Sequence, residues 1–285
     1  MANDSRPAGR VGGLLLGLAL LLAGSGQAAG DGRANGHGVL DFPDGGTYTG
    51  GLRDDQPHGR GSRRWREGQR YEGTFESGRH HGLGTFVAED GSIYAGEWRQ
   101  GRRHGLGLQL HASGDRYEGG WRDGQASGRG EFVWSTGTRY LGDVRRGRPH
   151  GQGEQLWPDG RRYAGGWQDG LPHGNGEMSW PDGGRYIGRF EKGHASGAGE
   201  RSWPNGDRYA GAWKAGVRHG HGLYTWASGA RYEGPFDANQ MHGRGRLVDA
   251  GGGERHGIWQ GGRLVEEVTP ARRARRAGPA PPFDR

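Results

Sequence analysis

Apolar and polar residues alternate along most of this chain in short bursts, and the bursts recur in a fixed order. From Tyr94 to Arg116, Tyr94, Gly96 and Trp98 alternate with Ala95, Glu97 and Arg99. That is period two, which predicts a strand with two unlike faces. Gly101 ends it, and a second strand is predicted from His104 to about His111. The same 23-residue arrangement occurs nine times without insertion between Tyr48 and Glu254. Each unit opens on a tyrosine: Tyr48, Tyr71, Tyr94, Tyr117, Tyr140, Tyr163, Tyr186, Tyr209 and Tyr232. Counting that tyrosine as position one, positions three, twelve, fourteen and twenty-one are glycine in all nine units. Position five is always apolar: Leu52, Phe75, Trp98, Trp121, Val144, Trp167, Phe190, Trp213 and Phe236. A fixed period of this length predicts an array in which each unit touches its neighbours.

Two turns per unit are readable. Position eight is glycine except at Asp55 and Asn239, and Asp and Asn are among the residues that best tolerate a left-handed backbone after glycine. The second turn is spelled out by Trp157-Pro158-Asp159-Gly160, Trp180-Pro181-Asp182-Gly183 and Trp203-Pro204-Asn205-Gly206. There proline presets φ and a short polar side chain closes the loop. Each unit therefore reads as a β-hairpin. The predicted fold is all-β, an elongated single-layer antiparallel meander of tandem hairpins with about eighteen strands. The simplest register sets position five opposite twelve, three opposite fourteen and one opposite sixteen. The ring at position five would then lie across a glycine of the next strand, since a neighbouring aromatic offsets what a glycine lacks in a strand. Gly82, Gly84, Gly105, Gly107, Gly128, Gly130, Gly151 and Gly153 are the structural glycines on this reading, and Gly105→Val or Gly128→Val is expected to push into a ring.

Composition narrows the class. Among 285 residues there are 65 glycines, 11 Trp, 10 Tyr and 7 Phe, which fits neither a layered core nor a solvated chain. The absence of cysteine excludes disulfides and thiolate chemistry. The net charge of +7 is spread among 32 acids, so no nucleic-acid footprint stands out. Arg6 and Arg10, an apolar run from Val11 to Ala23 and small residues up to Ala29 have the layout of a secretory signal over 1–29, with an uncleaved N-terminal anchor as the alternative. The expected organisation is that segment, an array over 36–265 and a disordered basic tail over 266–285 in which Arg272, Arg273, Arg275 and Arg276 could contact anionic lipid. The expected location is outside the cytoplasm, periplasmic or bound to the cell envelope.

Tyrosine, glycine at three, an apolar residue at five, glycine at eight, then His-Gly-x-Gly and Asp-Gly resemble the membrane occupation and recognition nexus (MORN) repeat. The resemblance covers Tyr48 to Glu254, with a half unit before it containing Gly36 and Gly38 and a fading one after it at Gly257, Trp259 and Gly262. It implies a twisted one-layer sheet that serves as a scaffold or dimerisation module and is often proposed to touch phospholipid.

No catalytic, cofactor or metal site emerges. Position eleven is histidine in seven units (His58, His81, His104, His150, His173, His219, His242) and serine in two (Ser127, Ser196). Equivalent residues of successive hairpins sit about 10 Å apart, whereas two imidazoles on one zinc must bring nitrogens within about 3.5 Å. A hydrogen bond to backbone beside the turn is the expected role. Glu131, Glu154, Glu177 and Glu200 at position fifteen, with Arg139, Arg162, Arg185 and Arg208 at position twenty-three, are expected to form diagonal cross-strand ion pairs. Position sixteen alternates between Phe86, Phe132, Met178, Tyr224 and Arg63, Gln109, Gln155, Arg201. The glycine pairs lack the third glycine and helix of a phosphate loop. What remains is the ring-bearing face, with Tyr94, Trp98, Tyr117, Trp121, Tyr163, Trp167, Tyr209 and Trp213 as the expected contact residues for a protein partner or a second copy, or alternatively for an anionic lipid or glycan.

Overall fold

The computed structural model describes residues 34–268. The expected leader (1–29) and the tail arginines Arg272, Arg273, Arg275 and Arg276 lie outside them.

Twenty-two strands, from Gly36–Asp41 to Arg263–Glu267, form one open antiparallel sheet. Strands follow one another in chain order across it. The nine units supply the eighteen expected. The other four are Gly36–Asp41 at the start, Glu254–Gln260 and Arg263–Glu267 at the end, and a division of the last unit's return strand into Gln240–Met241 and Gly243–Val248. The break falls at His242, whose N–H bonds to the Pro235 carbonyl at 2.9 Å. The final strand runs two residues beyond the boundary expected at 265.

The first turn of each hairpin has two central residues, both with positive φ: Gln100 at 50° and Gly101 at 79°, for instance. Such mirror-image turns match the right-handed twist of the flanking strands. Position seven is therefore left-handed as well, although Ser77, Gln100, Asp123, Arg146 and Lys192 occupy it.

The register departs from the simplest one in an instructive way. Within the Tyr94 hairpin, Tyr94 faces Gln109 and Gly96 faces Gly107 as expected, but the pairing then slips and Trp98 faces Arg103 rather than Gly105. The expected partner of position five, the glycine at twelve, is found on the preceding unit instead: Gly82 faces Trp98 and Gly105 faces Trp121. The glycine at twelve sits in the slip and takes positive φ, 54° at Gly82, 58° at Gly105, 84° at Gly128 and 64° at Gly151. A bulge needing a left-handed residue explains why it is glycine. No ring covers it: a Cβ on Gly128 would meet nothing within 4 Å, and one on Gly105 would meet the Glu97 carboxylate.

The ring over bare backbone belongs to position one. A Cβ on Gly107 would stand 2.6 Å from Tyr94 Cζ, one on Gly130 2.7 Å from Tyr117 Cζ, one on Gly153 2.6 Å from Tyr140 Cζ and one on Gly84 2.6 Å from Tyr71 Cε2. In all nine units the tyrosine hydroxyl donates to the carbonyl of position four, which lies opposite the slip, at 2.6–3.2 Å. Burial pushes the hydroxyl of Tyr48 or Tyr117 up to about 12, so each remains a donor at ordinary pH. Position five then adds the next contact: the indole N–H of Trp98, Trp121, Trp167 and Trp213 donates to the carbonyl of Gly84, Gly107, Gly153 and Gly199 on the preceding unit, at 3.0–3.2 Å.

Together these rings form the core. Tyr94 meets Trp98 edge to face at 5.0 Å and Trp121 of the next unit at 5.1 Å, Tyr117 meets Trp121 at 5.4 Å, and the series resumes from Tyr140 to Trp259. Each such pair adds about 0.5–1.5 kcal/mol beyond its burial. The series breaks once, where Val144 replaces the aromatic at position five. Phe132 spans the gap, 4.5 Å from Tyr117 and 6.4 Å from Tyr140. Phe132→Ala should therefore cost about 3–4 kcal/mol, clearly more than Phe86→Ala, because Trp98 still connects Tyr71 to Tyr94 when Phe86 is gone. Denaturant melts of the two variants check this.

Candidate interaction surface

The eight rings expected to greet a partner are interior. Tyr94, Trp98, Tyr117, Trp121, Tyr163, Trp167, Tyr209 and Trp213 are at most 8% exposed. Tyrosine folds down over its glycines and each position-five ring wedges between two tyrosines, so neither presents a face to solvent.

What that face does offer lies one register further along. Position eighteen, just before the proline of the second turn, shares strand parity with positions fourteen and sixteen. It is tryptophan in five consecutive units: Trp134, Trp157, Trp180, Trp203 and Trp226. All five are half-buried against the core. At about 4.8 Å per strand they recur roughly every 10 Å. In the sequence Trp157, Trp180 and Trp203 read only as part of the turn signature; the recurrence of tryptophan at one position on the ring-bearing side was the available signal. Three cations stand among these tryptophans: Arg161, 5.3 Å from the Trp157 ring centre and ion-paired with Asp159, and the two arginines Arg201 and Arg218. The Arg201 guanidinium carbon lies 4.4 Å from the Trp180 ring centre and 5.1 Å from that of Trp203. That of Arg218 lies 4.8 Å from Tyr224 and 5.7 Å from Trp203.

Where position eighteen becomes Ala88 and His111 the row is interrupted, leaving a trough lined in part by His80, Phe86, Arg103 and His111. His80 stacks on Tyr71, centroids 3.7 Å apart. Burial, aided by the charge of Arg63, lowers its pKa to about 4. The folded value lies below the unfolded one, so the unfolded chain binds the extra proton. The stabilising effect of neutral His80 is complete above about pH 6.5 and is lost as pH falls through about 4. His80→Phe should reduce that acid loss by about 1–2 kcal/mol, after allowance for partial exposure, in melts at pH 7 and pH 4.

The opposite face is polar. Arg139, Arg162 and Arg185 donate to Glu131, Glu154 and Glu177 at 2.6, 2.5 and 2.5 Å, as the spacing predicted. Among the described residues Glu200 and Arg208 do not complete a fourth pair. These exposed pairs contribute about 0.2–1 kcal/mol each. The position-eleven side chains reach carboxylates more than backbone: His81 Nδ1 lies 2.9 Å from Glu76, His219 Nδ1 3.2 Å from Asp237, and Ser196 donates to Glu191 at 3.2 Å. Among the described residues only His150 of this set accepts a backbone N–H, that of Asp169 at 3.4 Å. A basic hollow lies near the first turns of three successive hairpins, lined by Arg79, Arg99, Arg102, His104 and Arg122 with Asp123 as its acid. His104 Nδ1 there is buried without a hydrogen-bond partner. Among the described residues no group of three or more His, Cys, Asp or Glu could hold a metal ion, and no helix is long and apolar enough to cross a membrane.

The model of the family described as MORN repeat matches ten segments: 31–47, 48–70, 71–93, 94–116, 117–139, 140–161, 163–185, 186–208, 209–231 and 232–254. No curated protein gives a significant match. Among solved structures, the wild-type TCP10 domain of CPAP from Danio rerio is similar at 15% identity, over 81% of this chain and 98% of that one, with a TM-score of 0.36. The TCP domain of SAS-4 (dCPAP) from Drosophila melanogaster, solved in complex with a proline rich motif of Ana2 (dSTIL), matches at 12% identity over 55% of this chain and 85% of that one, TM-score 0.35.

Proposed function

The chain belongs to the MORN repeat family, and on that premise we propose that its sheet is a non-catalytic scaffold for protein–protein interaction or self-association, acting outside the cytoplasm in the cell envelope. The observation that carries this reading is the row of half-buried tryptophans from Trp134 to Trp226 on the ring-bearing side. The rings beneath it are committed to the fold, while this row keeps apolar area in reach of solvent over several hairpins, as interaction surfaces do. The test is capture of a defined partner, or of a differently tagged copy of the chain, by wild type and by a Trp157→Ala/Trp180→Ala/Trp203→Ala variant with an unchanged circular dichroism spectrum. Loss of capture supports the reading; equal capture by both refutes it. Export is checked by fractionating cells for the full-length and leader-deleted chains.

A second reading, an envelope ligand binder for anionic phospholipid or glycan, is favoured by one observation. Arg79, Arg99, Arg102, His104 and Arg122 converge on one hollow with a single acid among them. Sedimentation with phosphatidylglycerol vesicles or an anionic glycan that disappears in Arg99→Gln/Arg102→Gln would place binding there. The basic tail is tested separately by deleting residues 269–285.

A further inference from the structure

We propose that the tryptophan row is a track for an extended, proline-containing peptide segment that carries a carboxylate, with the acid seated by Arg201 and Arg218. This rests on the scaffold reading and names the chemistry of its partner.

Spacing is the first argument. One tryptophan per hairpin gives a repeat of about 9.6 Å. A polyproline II segment completes a turn every three residues, at about 3.1 Å each, hence about 9.3 Å. Across the four steps from Trp134 to Trp226 the mismatch accumulates to only about 1 Å. An α-helix repeats every 5.4 Å or so and a strand face about every 6.7 Å, and neither keeps step with the row. A peptide lying along the array would thus set one apolar residue of every turn against each indole, and flat pyrrolidine rings suit that contact while bringing little conformational entropy to lose.

Charge is the second. Arg201 and Arg218 flank the same ring, Trp203, and neither takes part in an ion pair among the described residues. The Nε of each is buried without a hydrogen-bond partner. Arg218 gives one N–H to the Asn239 carbonyl at 2.7 Å. Two acids lie near them, each already engaged: Asp182, whose charge acts on Arg201 without an ion-pair contact, accepts the Gly184 N–H at 2.8 Å, and Asp207 accepts from the Tyr224 hydroxyl at 2.7 Å and from the Ala227 N–H at 2.9 Å. Two guanidinium groups held against aromatic rings and short of acceptors form a fork that a carboxylate satisfies. Both cations flank the fourth of the five tryptophans, Trp203, which suits a single acid in a defined register.

The experiment titrates full-length protein into a fluorescein-labelled peptide of about twelve residues, which spans about 37 Å in this conformation. The peptide contains proline and alanine with one central glutamate, and its ends are capped. A matched peptide has lysine in place of glutamate. Arg201→Gln and Trp180→Ala are the variants. The array itself carries Gln109 and Gln155 at the first position and Ala88 at the second, so both are expected to fold, which thermal melting verifies. The expected result is saturable binding of the glutamate peptide, weakened at least tenfold by either variant and by the lysine exchange. Equal affinity for the two peptides, affinity unchanged by Arg201→Gln, or no binding overturns the proposal. So does Arg201-dependent sedimentation with phosphatidylglycerol vesicles without peptide binding, which assigns the cations to lipid. If the triple tryptophan variant loses partner capture while the peptide fails to bind wild type, only this inference falls. If capture survives in that variant, the scaffold reading falls with it.

Discussion

Gly107→Ala should destabilise the array by about 3 kcal/mol or more, lowering the melting temperature by roughly 6–12 °C. One methyl group has this effect because of where it would go, 2.6 Å from Cζ of the Tyr94 ring. That ring is 2% exposed, its hydroxyl is anchored on the Glu97 carbonyl at 2.9 Å, and its edges meet Trp98 and Trp121. Moving it disturbs two units. Gly107 needs no special backbone angle, so on strand propensity alone alanine should be the better residue. Gly128→Ala is the matched control. Its Cβ would meet nothing, and its cost, about 1 kcal/mol, comes from holding alanine at a φ of 84°. Denaturant unfolding of the two variants measures the difference; similar midpoints would mean that glycine serves only backbone conformation here.

Removal of the ring has the second large effect. Tyr94→Ala should cost about 3–5 kcal/mol, in line with aromatic truncations in cores, and Tyr94→Phe only about 1–1.5 kcal/mol for the hydroxyl bond. In an array of stacked units the damage concentrates locally. Amide exchange should accordingly quicken in the strands Ile93–Arg99 and Arg102–Leu110 and their neighbours, and stay slow near Tyr209 and Tyr232. Uniform acceleration along the chain would show that the units do not fold as coupled neighbours.

The repeat, its two turns and the single layer were legible because every unit restates them. Tyr94, Gly96 and Trp98 on one parity announce a strand, and Pro-Asp-Gly announces a turn. Which aromatic covers which glycine was misread, since alternation alone carries no trace of the slip that sets Trp98 against Arg103. The chain did hold the clue. Position five accepts Leu52 and Val144 while position one is never anything but tyrosine, as expected of a site that needs a hydroxyl as well as a ring. Position twelve is likewise glycine in every unit, although no covering ring requires it. The surface residues were harder to see. Trp98 and Trp157 are equally apolar in sequence, and only the folded register separates one wedged between Tyr71 and Tyr94 from one beside an open turn. The cations at Arg201 and Arg218 gain their meaning only from the rings that pairing brings beside them.

A double-mutant cycle of Gly107→Ala with Tyr94→Ala tests most directly whether each tyrosine ring holds the layer together by lying on bare backbone. The account predicts that the large penalty of Gly107→Ala vanishes or changes sign once Tyr94 is truncated, giving a coupling energy of about 2 kcal/mol or more. A Gly107→Ala penalty that is the same with and without the Tyr94 ring would contradict it.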